Sequence, residues 1–154
     1  MMDLPELSIP IYDFKFDTTS GKPRIFDRLR RKYVALTPEE WVRQNFVQYL
    51  VQVLDYPRGL MQIEASITVY NFSRRCDAVL FDRSLQPQMI IECKAPDVTL
   101  NERTFEQIAV YNAALKARYL TVTNGRTHYC CRIDYDNQTY KFLPAIPQYN
   151  DLEI

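Results

Sequence analysis

Only three glycines occur in the chain, Gly21, Gly59 and Gly125, and they are far apart. A phosphate-cradling loop or a dinucleotide fingerprint needs several glycines at fixed spacing, so that backbone can approach a phosphate closely, and none can be written here. His128 is the single histidine. Its isolation excludes His-ligated zinc, the two-His metalloprotease motif and most hydrolases that rely on a His base. The four cysteines, Cys76, Cys93, Cys130 and Cys131, show no C-x-x-C spacing and include an adjacent pair. That pattern suits neither a zinc site nor a disulfide framework, and they read as reduced, mostly buried small hydrophobes. Charge of one sign is lacking too: 19 Lys and Arg meet 19 Asp and Glu. No long-range field draws the molecule to DNA or an anionic membrane, and any nucleic-acid binding must come from a local patch. No apolar run approaches the roughly 18 residues of a membrane-spanning helix, and the opening MMDLPELSIP lacks a signal peptide's basic and apolar regions. An intracellular, cytoplasmic location without membrane contact is the expectation. What chemistry remains must run on carboxylates and lysine.

With 154 residues, 47% hydrophobic and 25% charged, the chain has the size and composition of one globular domain. Residues 1–27 mix prolines, aromatics and charges without a period and read as an extended arm with one short strand at most. The domain proper is expected over 28–145, with a Pro-containing tail over 146–154. From Lys15 to Lys32 the basic residues Lys15, Lys22, Arg24, Arg28, Arg30, Arg31 and Lys32 outnumber Asp17 and Asp27. This stretch is either a solvated surface or a patch for phosphate contacts.

Thr37-Pro38-Glu39-Glu40 offers an N-cap threonine, proline at N1 and glutamate at N3, a capping box that starts a helix. Trp41, Val42, Phe46, Val47, Tyr49, Leu50, Val53 and Leu54 give it an apolar face running to about Leu54. Three strands are expected next, over 63–70, 76–81 and 89–94, the last two joined by a turn at 82–87. Thr99-x-x-Glu102 signals a second helix that reaches about Ala117. Strands over 119–123 and 126–133 flank Asn124-Gly125, a strong hairpin signal, and a last strand covers 139–143. The fold class is therefore α/β, a mixed central sheet flanked by helices with an α-β-β-β-α-β-β core.

Asp77 falls in one strand, and Glu92-Cys93-Lys94 closes the next. In a strand alternate residues share a face, so Glu92 and Lys94 project together while Cys93 turns to the core. If Asp77 points to that face, two carboxylates and an ammonium converge. Two carboxylates with a backbone carbonyl make a hard oxygen site suited to Mg²⁺, with Lys94 placed to position or activate water.

Asp77 followed by Ile91-Glu92-Cys93-Lys94-Ala95 resembles the D…(D/E)-x-K signature of the PD-(D/E)XK nuclease superfamily, with Cys76 where proline often stands. Gln107-x-x-x-Tyr111 on the second helix resembles the Q-x-x-x-Y motif of its RecB-like branch. Residues 36–44, Ile91 to Pro96 and Val122-Thr123-Asn124-Gly125 are together similar to the N-terminal nuclease domain of type I restriction enzyme R subunits. The resemblance implies a restriction-endonuclease-like fold over the domain and a Mg²⁺-dependent DNA nuclease of restriction type, with Mn²⁺ able to substitute. It makes Asp77, Glu92 and the Cys93 carbonyl the metal ligands and Lys94 the catalytic lysine. Gln107 and Tyr111 would orient Lys94 or the DNA strand. The family often adds an acid from its first helix, for which Gln44, Glu40 and, on the first strand, Glu64 are the candidates. Such R subunits couple the domain to an ATP-driven translocase, and no Gly-Lys-Ser/Thr loop occurs in this chain. The expected partners are DNA and either a second copy in a homodimer or separate motor and specificity subunits. The alternative from another class is a catalytically silent module that keeps the fold for nucleic-acid or partner binding.

Overall fold

The computed structural model describes residues 3–69, 71–113 and 115–154; the side chains of residues 69, 72, 74, 110 and 111 lie outside that description. Nine strands and two α-helices are found among the described residues. Three short strands come first, β1 (Phe16–Asp17), β2 (Arg24–Asp27) and β3 (Lys32–Ala35), followed by α1 (Pro38–Gln52). Then come β4 (Met61–Val69), β5 (Phe72–Phe81), β6 (Pro87–Cys93), α2 (Glu102–Ala113), β7 (Tyr119–Thr123), β8 (His128–Asp134) and β9 (Thr139–Phe142). Strands β4 to β9 form one six-stranded sheet in sequential order. All its neighbours are antiparallel except β6 and β7, the pair that α2 connects, because a parallel pair needs a long crossover. The expected α-β-β-β-α-β-β core is thus present, extended by β9.

Each helix covers one face of this sheet. On one side Val42, Phe46, Val47 and Leu50 of α1 pack on Ile63, Ala78, Leu80, Met89, Ile91 and Cys93. On the other Phe105 and Ile108 of α2 pack on Val79, Ile90, Leu120, Val122 and Cys131. The alternation Met89/Ile91/Cys93 against Ile90 along β6 is the period of two that a doubly covered central strand requires. All four cysteines are free thiols and buried.

Local signals are realised with some changes. Thr37 Oγ1 accepts the Glu40 N–H at 3.0 Å, so the cap forms, but the Glu40 carboxylate does not return to Thr37. It is taken instead by Arg30, Arg43 and Gln44, where charge-assisted bonds are stronger than a bond to a neutral amide. Helix α2 is capped by Asn101, whose Oδ1 accepts the Thr104 N–H at 2.9 Å, and not by Thr99. It does not reach Ala117 as expected, because Lys116 has a positive φ of 54°.

The segment read as an extended arm carries more structure than expected. Strands β1, β2 and β3 form an antiparallel sheet of their own. Ile25 and Phe14 bury against Trp41 of α1, which makes this sheet a lid over the start of the helix. The last residues also dock: Leu152 is buried, the Tyr149 N–H donates to Leu54 O at 2.9 Å, and the Tyr56 hydroxyl donates to Pro147 O at 3.0 Å.

The turn between β7 and β8 has Gly125 and Arg126 at its centre, because the Asn124 side chain accepts from the N–H groups of Arg126 and Thr127. Gly125 has φ +84°, and a Cβ there would lie 2.6 Å from Leu7 Cδ2 and 3.2 Å from Val42 Cγ2. The approach is close because residues 6–8 strap across the turn: the Ser8 N–H donates to Gly125 O and Arg126 Nε to Glu6 O, both at 2.8 Å. Gly125→Ala is expected to cost about 2 kcal/mol in urea denaturation, from left-handed backbone strain plus this crowding. A change below a few tenths would mean that the strap yields freely.

Candidate active site

The β5–β6 ladder ends at the pair Ala78↔Ile91. One step further, where Asp77 and Glu92 come opposite, a carboxylate replaces the backbone pairing: Asp77 Oδ2 accepts the Cys93 N–H at 2.7 Å. The Lys94 N–H in turn donates to Thr123 O of β7 at 2.8 Å, fixing the strand end from the other side. Glu92 is buried at 7% exposure, and Lys94 is half-buried. Asp77, Glu92, Cys93 and Lys94 are therefore gathered where β6 ends beside the middle of β5. The Cys93 thiol reports the surroundings. Burial pushes it well above its ordinary value, the negative charges of Asp77, Glu92 and Glu39 add to this, and Arg43 opposes it. The Cys93 side chain is itself buried in the core, which leaves carboxylate oxygens at the cleft.

The helix acid that joins this group is Glu39, which the sequence reading missed. Burial raises its pKa, the Asp77 charge raises it further, and Lys94 and Arg43 pull the other way. A signal was available: Glu39 lies three residues before Val42 and seven before Phe46, and so continues the stripe that α1 lays on the sheet. Of the three earlier candidates, Glu40 and Gln44 are committed elsewhere. Glu40 is held by Arg30 at 3.1 Å, by Arg43 and by Gln44 Nε2 at 3.0 Å. Glu64 of β4 does line the same cleft as Asp77.

The raised Glu39 pKa has a consequence for stability. An acid that binds its proton more tightly when folded supports the fold below its ordinary value of 4.5, and that support is lost as pH rises through the folded value. At neutral pH the burial of the Glu39 charge, with the crowding by Asp77 added to it, is a constant penalty. Glu39→Gln is expected to raise the thermal midpoint at pH 7 by roughly 1–2 °C, with solvent screening keeping the gain small, and the gain should vanish below about pH 4. A melting series across pH checks this, and a gain independent of pH would remove the Glu39 charge as its cause.

Behind the cleft stands an arginine–carboxylate network. Arg30 reaches Asp27 at 2.6 Å, Glu40 at 3.1 Å and Glu64 at 3.0 Å, tying the turn after β2 to the start of α1 and to β4. Arg43 contacts Glu40 and lies 3.9 Å from Glu64, and Arg75 of β5 pairs with Glu64. The cleft in front is about 730 Å³ and is walled by Val34, Ala35, Thr37, Glu39, Asp77 and Ala95 among others. The small N-terminal sheet is thus one side of the candidate site. A second groove of about 680 Å³, bounded by Arg118, Arg132, Tyr140 and Lys141, contains none of the expected site residues.

The basic stretch is only partly available for phosphates. Arg30 is spent on the network, Arg28 lies over the Phe14 ring at 4.7 Å, and Arg24 pairs with Asp17. Lys15, Lys22, Arg31 and Lys32 are exposed. Gln107 is exposed on α2 and makes no hydrogen bond to Lys94 among the described residues, and the Tyr111 side chain lies outside them. Among the described residues no three His, Cys, Asp or Glu side chains form a metal-holding group by themselves. His128 is structural: its ring lies 2.6 Å from Thr123 Oγ1 and 3.1 Å from Ser8 Oγ and packs on Phe46.

Residues 38–147 match the family described as the type I restriction enzyme R protein N terminus. No curated protein matches the chain. Among solved structures, the chain is similar to a fragment assigned as an HsdR subunit of a type I restriction enzyme from Vibrio vulnificus YJ016, at 18% identity and a TM-score of 0.55. The match covers 76% of this chain and 24% of that one, so the present sequence spans about a quarter of that fragment. The likeness shows that the fold is shared. With more than two thirds of its length, the six-stranded sheet included, inside the family match, this chain belongs to the N-terminal domains of type I restriction enzyme R proteins.

Proposed function

We propose that this domain is a Mg²⁺-dependent DNA nuclease, cutting phosphodiesters by hydrolysis where β6 ends beside the middle of β5. The observation that carries the reading is the convergence of Asp77, Glu92, Glu39 and Lys94 around Cys93, at the rim of an open cleft. Glu39, whose proton is held more tightly through burial first and the Asp77 charge second, stands beside carboxylates whose charge a divalent cation would offset. The donors are carboxylate oxygens and a backbone carbonyl, and the Cys93 thiol is packed in the core, which fits Mg²⁺ or Mn²⁺ better than Zn²⁺. Asp77, Glu92 and the Cys93 carbonyl would hold the ion, with Glu39 from α1 as the additional acid. When bound, the cation supplies charge neutralisation at the phosphate and lowers the pKa of water.

The protein's own groups account for the rest. Asp77 is aimed by its bond from the Cys93 N–H, which leaves its second oxygen for the cleft. Lys94, fixed at the backbone by Thr123, presents an ammonium that orients the attacking water and offsets charge on the phosphate. The exposed Lys15, Lys22, Arg31 and Lys32 supply contacts to flanking phosphates, while Arg28 stacks on Phe14 and Arg30 is paired with carboxylates in the free protein. The test is plasmid nicking by the purified chain. Cleavage with Mg²⁺ or Mn²⁺, without ATP and abolished by EDTA, is expected. Absence of nicking over a range of protein concentrations and with both metals would leave a silent module.

A further inference from the structure

Glu64 has an unusual backbone. It is a non-glycine residue inside a long strand, yet its φ is +51°, in the left-handed region. The register explains where the distortion falls: Ile63 pairs with Ala78 and Ala65 with Cys76, so Glu64 stands opposite Asp77 at a break in the ladder. A left-handed glutamate is strained and persists only where its surroundings over-determine it. Here three arginines do so: Arg75 and Arg30 bind its carboxylate, the latter at 3.0 Å, and Arg43 approaches to 3.9 Å.

Three guanidinium groups and three carboxylates, Asp27, Glu40 and Glu64, balance in this cluster. They differ in access. Glu40 and Glu64 both line the cleft, but the Asp27 and Glu40 side chains are 5% and 9% exposed, whereas Glu64 is 33% exposed. Glu64 is therefore the carboxylate best placed to exchange with an anion arriving from the cleft. Its withdrawal leaves the cluster at net +1, which one phosphodiester charge restores, and guanidinium forks bind phosphate oxygens as they bind carboxylates. Donor capacity is in surplus already, since the buried Nη1 of Arg43 has no partner among the described residues.

We propose that Arg30, Arg43 and Arg75 form a subsite for a DNA backbone phosphate next to the one at Asp77, kept filled in the free protein by the Glu64 carboxylate. The proposal rests on the nuclease reading and adds to it a second anchoring point on the DNA and a self-occupied resting state. Binding of the strand displaces Glu64 from the arginines and relaxes its left-handed backbone.

The test is binding of a short DNA duplex in EDTA, followed by fluorescence anisotropy across a salt series, so that metal and cleavage play no part. Glu64→Gln is expected to tighten binding roughly fivefold and to steepen the salt dependence by about 0.9, one more phosphate contact. Arg75→Gln removes an exposed side chain that the fold can spare; it should weaken binding roughly threefold, flatten the slope by about the same amount, and cancel the gain in the double variant. Inorganic phosphate titrated into Glu64→Gln should shift the arginine side-chain resonances in nuclear magnetic resonance spectra. Unchanged or weaker duplex binding in Glu64→Gln, an inert Arg75→Gln, or arginine signals indifferent to phosphate would each overturn the subsite. Those duplex outcomes apply where the unaltered protein binds duplex at low salt; should it and both variants fail to bind, the nuclease reading falls and the phosphate titration alone decides the subsite.

Discussion

Lys94→Ala and Asp77→Asn are each expected to lower DNA cleavage by about 10³-fold or more while leaving the thermal midpoint unchanged or slightly raised. The two effects separate because these side chains serve the site more than the core. Lys94 is half-buried and its backbone bond to Thr123 survives truncation. In Asp77→Asn the amide oxygen can still accept the Cys93 N–H, so the strand end keeps its geometry. What disappears is a negative charge, and with it the pressure on Glu39, whose pKa should fall back toward its ordinary range. Single-turnover cleavage with a parallel melting curve measures both. Full activity in either variant would remove the assignment, and a large drop in midpoint would make these residues structural.

Removal of Arg30 should have the largest effect on stability. Arg30→Met is expected to cost about 3–5 kcal/mol, since it leaves the buried carboxylates of Asp27 and Glu40 with their main counter-charge gone. Arg43 still contacts Glu40, but Asp27 keeps only the backbone N–H groups of Leu29 and Arg30. The exposed neighbour Arg31 provides the contrast: Arg31→Gln should change stability by less than about 0.5 kcal/mol and act on DNA binding alone. Urea denaturation of both variants decides the point. Equal, small costs would mean that Arg30 is not what holds the buried carboxylates in place.

That contrast marks the boundary between what could be read from residues in order and what could not. The six-stranded core was legible because its signals are local. The stripe Val42, Phe46 and Leu50 dictates a helix lying on a sheet, and the apolar run before Glu92-Cys93-Lys94 dictates a buried strand ending in charge. Asp77, Glu92 and Lys94 were legible for the same reason: neighbouring strands and a period of two leave little freedom in where their side chains meet. The small N-terminal sheet was hidden, because strands of two to four residues carry too few side chains to show a period and are held by Trp41, which lies beyond them in sequence. The choice among helix acids was hidden too. Glu39 and Glu40 are adjacent and alike in propensity, and a turn of about 100° between them sends one toward Asp77 and the other to Arg30 and Arg43. Local periodicity and spacing thus determined the sheet, its two helices and three of the site's charged groups. Which arginines serve phosphates and which acids face the cleft was decided only by tertiary packing, because a charge takes its role from the partner within a few ångströms, and that partner is set by the fold.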